Sequence, residues 1–324
     1  MKILVTGGAG YIGSHTVKML IEKGFDVLIV DNLSRGHIES VPAKAGFEKV
    51  DLLDTEGLAI VLSRHKIDAV IHFAAFAYVG ESVDNPELYY RNNVTGSFNL
   101  INAVRDAGIK KFVFSSTCSI YGNPVKVPIS EEQKAAPINP YAKTKFFIEN
   151  ILSDYYTAYG MKSVALRYFN AAGDSDDGLT GESHDPEPHL IPLVLYTALG
   201  KREKVNIYGD DYPTPDGTCI RDYIHVNDLA EAHIKALGFL EKTGTTEVIN
   251  LGSGTGYSVK EIIEEARIVT GREIRAEITS RRAGDPAVLV ADNTKARKAL
   301  AWIPEYDLKK IIETAWNWHK NQKY

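Results

Sequence analysis

A strand, a glycine turn and a helix open this chain, and that order limits the folds open to it more than any other feature. Ile3-Leu4-Val5 leads directly into Gly7-Gly8-Ala9-Gly10-Tyr11-Ile12-Gly13, and apolar residues then recur at helical spacing until Gly24 ends the run. Glycines at 7, 10 and 13 let the backbone turn tightly and come close to an anion, while the free N–H groups at the start of a helix attract negative charge. In this setting G-x-x-G-x-x-G is a variant of the dinucleotide fingerprint and predicts a pyrophosphate-binding turn that includes Tyr11 and Ile12.

The first half continues the alternation. Strands are predicted at Lys2–Thr6, Asp26–Val30, Phe47–Val50, Ala69–Phe73, Lys111–Ser115 and Ser163–Tyr168. Amphipathic stretches lie between them, including Ile12–Lys23 and a long one from Pro86 to Ala107 closed by Gly108. Strands joined by helical crossovers imply an α/β fold with a Rossmann-type, doubly wound parallel sheet. Asp31 ends the second strand, where a carboxylate meets adenosine ribose hydroxyls and repels a 2′-phosphate, so NAD is expected over NADP. Arg35 and His37 follow and could soften that preference, but they are read as a solvated loop.

After Asn170 the texture changes. Residues 171–188 are rich in Gly, Asp, Ser and Pro, which predicts a functional loop. A helix from Pro188 to Leu199, a strand at Val205–Tyr208, a turn-rich stretch from Gly209 to Thr218 and a capping-box helix from Ser258 toward Thr270 follow. The expected division is an NAD-binding domain over 1–169, with a return of the chain near 219–240, and a smaller α/β substrate-binding domain over 170–324.

With a net charge of −5 there is no general attraction for nucleic acid or an anionic membrane. Two cysteines exclude a disulfide framework and a cysteine-rich metal site, and the nine histidines contain no H-E-x-x-H, so no metal is expected. No apolar run reaches ~18 residues. The N-terminus does not resemble a signal peptide, and a cytoplasmic protein is expected.

Tyr141 and Lys145 stand four apart in Tyr141-Ala142-Lys143-Thr144-Lys145, one helical turn from each other on one face. A cation beside a phenol favours the phenolate, which makes a general base near neutral pH. A lone Y-x-x-x-K is weak, but here Ser115-Ser116-Thr117 precedes it by about one crossover and a nucleotide loop opens the chain.

Taken with Asp31-Asn32-Leu33, His72-Phe73-Ala74-Ala75, Asn92-Asn93-Val94-Thr95-Gly96, Leu166-Arg167-Tyr168-Phe169-Asn170, Arg221-Asp222-Tyr223-Ile224-His225 and Arg281-Arg282-Ala283-Gly284-Asp285, these motifs make the chain resemble the extended short-chain dehydrogenases/reductases. The later stretches narrow the resemblance to the UDP-glucose 4-epimerase branch. The resemblance implies interconversion of UDP-glucose and UDP-galactose through a 4-keto sugar on a retained NAD, with no net redox change. Tyr141 would take the proton of the sugar 4-hydroxyl, Lys145 would hold the ribose and keep the Tyr141 pKa low, and Thr117, where serine is usual, would bond the sugar oxygen. Ser115, Asp51, Leu52, Phe73, Ala74, Asn92 and Tyr168 would join the glycine loop, Asp31 and Asn32 around NAD. Asn170, Leu190, Tyr208, Arg221, Arg282, Asp285 and Leu289 would line the UDP-sugar site. Relatives often pair through helices, so a homodimer through Pro86–Ala107 and Pro140–Tyr159 is expected.

Three departures stand out. Ala77 replaces a lysine that reaches the cofactor in many relatives, and Ala75 replaces a usual glycine. Leu289 is intermediate between the tyrosine that excludes N-acetylated sugars and the small residue that admits them, which leaves UDP-N-acetylhexosamines open. The nearest rival, a nucleotide-sugar dehydratase, needs an acid–base pair after the active-site hydroxyl, where this chain has Cys118 and Ser119. Another nucleotide-sugar epimerase or reductase is a further alternative. A dinucleotide-sensing protein is the rival of a different class, and such proteins commonly lack the tyrosine or lysine.

Overall fold

The computed structural model describes residues 1–282 and 285–324, so Ala283 and Gly284 of the Arg281–Asp285 motif lie outside the described residues. Six strands form in the order expected: β1 (Lys2–Thr6), β2 (Asp26–Asp31), β3 (Gly46–Lys49), β4 (Ala69–His72), β5 (Lys111–Thr117) and β6 (Lys162–Tyr168). A seventh, Glu247–Leu251, pairs with β6 and was not anticipated. It is short, and its fourth residue, Asn250, is a fully buried amide that accepts from the Tyr121 hydroxyl at 2.7 Å and donates to Ile129 O at 2.9 Å. A polar residue there breaks the apolar pattern by which a buried strand is recognised.

The sheet is parallel throughout, in the order Glu247–Leu251, β6, β5, β4, β1, β2, β3. From β1 the chain builds outward to β3, then crosses back to place β4 on the other side of β1. Ligands of open α/β sheets bind at the carboxyl ends beside such a reversal, and the glycine loop leaves β1 there. Two apolar cores cover the faces: Val5, Leu20, Ile29, Leu229 and Leu237 on one side, and Leu28, Leu58, Val70, Leu100 and Ile148 on the other. The helix Val226–Thr243 packs against the first helix, Tyr11–Glu22, and against β5 and β6.

The stretch from Pro86 is not one uniform α-helix. Its Pro86–Tyr89 and Gly96–Asp106 segments are α-helical, and Tyr90–Thr95 between them is wound as a π-helix. Such wide turns concentrate at functional sites, and this one carries Asn92 and Asn93.

Two small sheets complete the fold. Ile220–His225 pairs with Gly256–Ser258, Val288–Leu289 and Asn170–Ala172, and Val205–Tyr208 pairs with Ala276–Thr279. Leu190–Ala198, Val259–Thr270 and Leu308–Lys320 pack beside them around Val194, Ile262 and Ile312. The Ser258–Glu261 capping box is formed as read from the sequence. No described helix is long and apolar enough to cross a membrane.

Candidate active site

The three loop glycines do different work. A Cβ at Gly13 would lie 2.1 Å from Gly7 O, and one at Gly7 would lie 2.5 Å from Ala74 N, so both positions are dictated by packing of the turn against itself and against the end of β4. At Gly10 an added Cβ would meet only Gly7 O, at 3.4 Å. Gly10 lines the open cleft, and its smallness leaves room for whatever the cleft receives. The loop therefore fits a pyrophosphate-bearing ligand.

Asp31 ends β2 facing this turn. Its carboxylate accepts from Ala9 N at 3.0 Å and Leu33 N at 2.8 Å, which fixes it at the cleft wall. Burial pushes its pKa up, and the two N–H donors pull against that shift. Asn32 donates to Asp51 Oδ2 at 2.9 Å, so the ends of β2 and β3 are joined beside Leu52. Arg35 is not the solvated side chain expected. It pairs with Glu81 at 2.6 Å and lies over the rings of Phe76 and Tyr78. His37 stacks on Tyr324 at 4.7 Å. Arg35 is thus engaged by a carboxylate and two rings, and His37 by a third.

The helix Pro140–Tyr159 presents Tyr141 and Lys145. Asn139 caps it by accepting from Ala142 N at 2.8 Å, proline fills its first turn, and Gly160 ends it in the left-handed conformation at φ 65°. Both side chains face inward from the first two turns. The Lys145 ammonium donates to Ser115 O at 2.8 Å and lies 5.0 Å from the Phe114 ring centroid. Burial lowers its pKa to about 7, against a raising effect of Glu149. Burial likewise raises the Tyr141 phenol above its ordinary value, Tyr168 adds to the rise, and the Thr117 hydroxyl pulls the other way. The protein's own groups therefore hold Tyr141 as a phenol.

Behind this helix, Asn93 in the π-helical turn donates to Phe76 O at 3.0 Å and to Thr144 Oγ1 at 3.1 Å, and accepts from Phe76 N at 2.9 Å. It binds the segment after β4 to the helix that carries Tyr141. Its neighbour Asn92 lines the cleft. Ser115 Oγ and the Tyr168 hydroxyl are 2.5 Å apart across β5 and β6.

The other wall comes from the small sheets and the loop before them. Arg221 follows the start of Ile220–His225, a strand held by Asp222. That fully buried carboxylate accepts from Ser253 N at 2.8 Å, Gly254 N at 3.0 Å and Ala291 N at 3.1 Å. Arg282 lies over the Tyr208 ring at 4.8 Å and donates to Asp285 at 2.9 Å, while Arg221 stands 3.9 Å from the same carboxylate. Two guanidiniums share one carboxylate, which leaves one positive charge over in this group of three. Asn170 donates to Asp222 O at 2.8 Å, Leu190 begins a helix, and Leu289 packs on the Cys118–Phe169 cluster.

All these residues line one cleft of about 1030 Å³: the glycine loop, Asp31, Asn32, Asp51, Leu52, Phe73, Ala74, Asn92, Ser115, Thr117, Tyr141, Lys145 and Tyr168, together with Asn170, Leu190, Tyr208, Arg221, Arg282, Asp285 and Leu289. A family model described as GDP-mannose 4,6 dehydratase matches residues 4–315. The UDP-glucose 4-epimerase of Halalkalibacterium halodurans is 52% identical over 325 residues, which cover 100% of this chain and 97% of that one. The crystal structure of UDP-glucose 4-epimerase from Brucella ovis in complex with NAD matches with a TM-score of 0.95 at 48% identity and 97% coverage of each chain. That from Bifidobacterium longum in complex with NAD⁺ and UDP matches with a TM-score of 0.94 at 39% identity, covering 99% of each. This chain belongs to the UDP-glucose 4-epimerase family.

The dehydratase description of the broader family model does not reach the chemistry of this site. Next to Thr117 stands Cys118, a thiol that burial raises to about 12, and then Ser119. Neither supplies the carboxylic acid that eliminating water requires, so the local chemistry fits a UDP-glucose 4-epimerase. Three features of this family member escaped the sequence reading. Asp222 and the Arg35–Glu81 pair depend on partners distant in the chain. The third is a cluster of Glu182, His184, Glu187 and His189.

Proposed function

We propose that this protein interconverts UDP-glucose and UDP-galactose by reversible oxidation at C4 of the hexose, using a bound NAD that is returned to its starting state. The observation that carries this reading is the single cleft shared by a dinucleotide loop, a buried Tyr–Lys pair and a two-arginine wall, in a chain about half identical to UDP-glucose 4-epimerases over its full length. NAD would be held by Gly7, Gly10, Gly13, Asp31 and the ends of β3 to β5, within residues 1–169 and the return near 219–240. The UDP-sugar would be held mainly by 170–324.

When bound, NAD supplies a two-electron acceptor for C4 and a positive ring that favours the Tyr141 phenolate. Tyr141 takes the proton of the C4 hydroxyl and later returns it. Lys145, tied to Ser115 O, supplies a donor for the ribose and a charge beside the phenolate. Thr117 orients the sugar oxygen. Arg221 and Arg282 grip the pyrophosphate through guanidinium–phosphate bonds, which anchors the nucleotide while the keto sugar turns over. Tight nucleotide binding with a loosely held hexose is what presenting both faces of C4 requires.

Leu289 sets the room around the hexose, and acceptance of UDP-N-acetylhexosamines depends on it. A homodimer is proposed because Phe98, Phe147, Tyr156 and Tyr159 are exposed on the helices Gly96–Asp106 and Pro140–Tyr159. The test is incubation with UDP-galactose: UDP-glucose forms to equilibrium without net accumulation of NADH. Accumulated NADH, a 4-keto-6-deoxy sugar or unchanged UDP-galactose would each replace this reading with a rival.

A further inference from the structure

Between Asn170–Ala172 and the helix Leu190–Ala198 the chain passes through Glu182-Ser183-His184-Asp185-Pro186-Glu187-Pro188-His189. One ligand atom from each of Glu182, His184, Glu187 and His189 lies within 4.8 Å of all the others. His189 Nδ1 is 2.7 Å from Glu182 Oε1 and 2.8 Å from Glu187 Oε1. His184 Nδ1 is 3.2 Å from Glu182 Oε1 and 3.3 Å from Glu187 Oε2. We propose that these four side chains bind one divalent transition-metal ion of the zinc class, and that the ion fastens the strap leading into the helix Leu190–Ala198.

Charge is the first reason. The Glu182 and Glu187 side chains are only 4% and 3% exposed, and among the described residues their ion-pair partners are the two imidazoles and no lysine or arginine. A third carboxylate, Asp174, is buried against them. One of its oxygens accepts from Glu182 N at 2.6 Å, and the other is buried without a hydrogen-bond partner. Buried carboxylates need compensation by cations or metal. Among the described residues the ion-pair partners of Glu182 and Glu187 are His184 and His189 alone, and each of these imidazoles can instead ligate a divalent ion through Nδ1.

Donor chemistry and geometry are the second. Two imidazole nitrogens and two carboxylate oxygens suit zinc-like ions, and metal–ligand bonds of about 2.0–2.2 Å in a tetrahedron set neighbouring donors about 3.3 Å apart. The N–O separations here are 2.7 to 3.3 Å, with both oxygens of Glu187 engaged, and one donor atom from each of the four side chains lies within 4.8 Å of the rest, so the side chains must adjust to close around an ion. Four protein ligands leave no open coordination position, so the ion would be structural.

Location gives the ion a purpose. The His184 ring packs edge-on against Tyr11 of the glycine loop and against Tyr78, and Trp318 Nε1 donates to Glu182 O at 2.8 Å. His189 immediately precedes Leu190 on the cleft wall. A metal here would join the glycine loop, the C-terminal helix and the proposed UDP-sugar wall through one short strap.

The test uses untagged holoenzyme, treated with a chelator, re-equilibrated with Zn²⁺ or Co²⁺ and desalted before elemental analysis. Wild type is expected to retain about one ion per chain, with the ligand-field bands of four-coordinate Co²⁺ and a thermal midpoint raised by about 5 °C at saturating zinc. His184→Asn/His189→Asn is expected to fall below about 0.1 ion per chain. The near-isosteric Glu187→Gln, checked for intact NAD content, provides a second variant if the double one does not fold. Wild type below about 0.1 ion per chain would show a metal-free ion-pair network and overturn the proposal, as would full retention by the variants.

Discussion

Lys145 Nζ donates to the main-chain oxygen of Ser115 at 2.8 Å, which ties the helix bearing Tyr141 to the strand that ends at Thr117. The same burial that allows this bond draws charge from both ends of the Tyr–Lys pair. It lowers Lys145 to about 7 and raises Tyr141. Removing the lysine therefore removes a positioning contact and a buried amine of the same helix face.

Lys145→Met should lower kcat at pH 8 by about 10²-fold or more. A cation stabilises the phenolate, so without it the phenol pKa rises and the rising limb of kcat against pH moves to higher pH, by about one unit or more. Rates measured from pH 6 to 10 check this, and an unshifted limb with wild-type kcat would exclude Lys145 from the proton step.

Asp31 accepts from two N–H groups at the cleft wall, and Arg35 beyond it is occupied by Glu81. Asp31→Ala should weaken NAD by about 1–3 kcal/mol, roughly 5- to 150-fold, and narrow the preference over NADP. Cofactor titration of the variant reads both. Tighter binding of NADP than NAD by the native protein would contradict the assignment.

The glycine loop, Asp31 and the Tyr141–Lys145 pair were legible because each is a short-range pattern whose spacing carries its geometry. Asp222 was not, because its partners Ser253, Gly254 and Ala291 lie far along the chain and meet it only in the fold. The same holds for Arg35 and Glu81, separated by 46 positions. Glu247–Leu251 was missed because a buried Asn250 interrupts its apolar run. The cluster at Glu182–His189 is local in sequence, yet it matches no familiar zinc spacing and lies in a stretch that reads as loop.

Glu149 is a buried carboxylate that accepts from Arg167 Nε at 2.9 Å, Arg167 Nη2 at 2.5 Å and Ser116 Oγ at 2.6 Å. Arg167→Met strands that charge and should cost about 3–5 kcal/mol, lowering the thermal midpoint by roughly 5 °C. Glu149→Leu/Arg167→Met should lose less than the single variant. A double variant that is less stable than Arg167→Met would show that the pair is not coupled in this way.

Histidines buried in the fold make it sensitive to acid. Burial lowers His15 and His233 to about 4, and His72 and His225 to about 3. Below about 6.5 the unfolded rings take up protons that the folded ones refuse. The stability they support is therefore full above that pH and is lost as pH falls, by about 1.4 kcal/mol per unit for each ring until its folded value is reached. His233→Phe keeps a ring against Phe73 and Tyr168. It should remove one ring's share of that slope in denaturant melts between pH 6.5 and 4.5, and an unchanged slope would rule His233 out as a contributor.

The most direct test of the account is product analysis after UDP-galactose is incubated with the NAD-loaded protein and, in parallel, with Tyr141→Phe. Native protein should bring the sugar to equilibrium with UDP-glucose without net NADH, and the variant should bind the sugar normally while turning it over about 10²–10⁴-fold more slowly. Native protein that leaves UDP-galactose unchanged, or a variant as fast as native, would contradict the account.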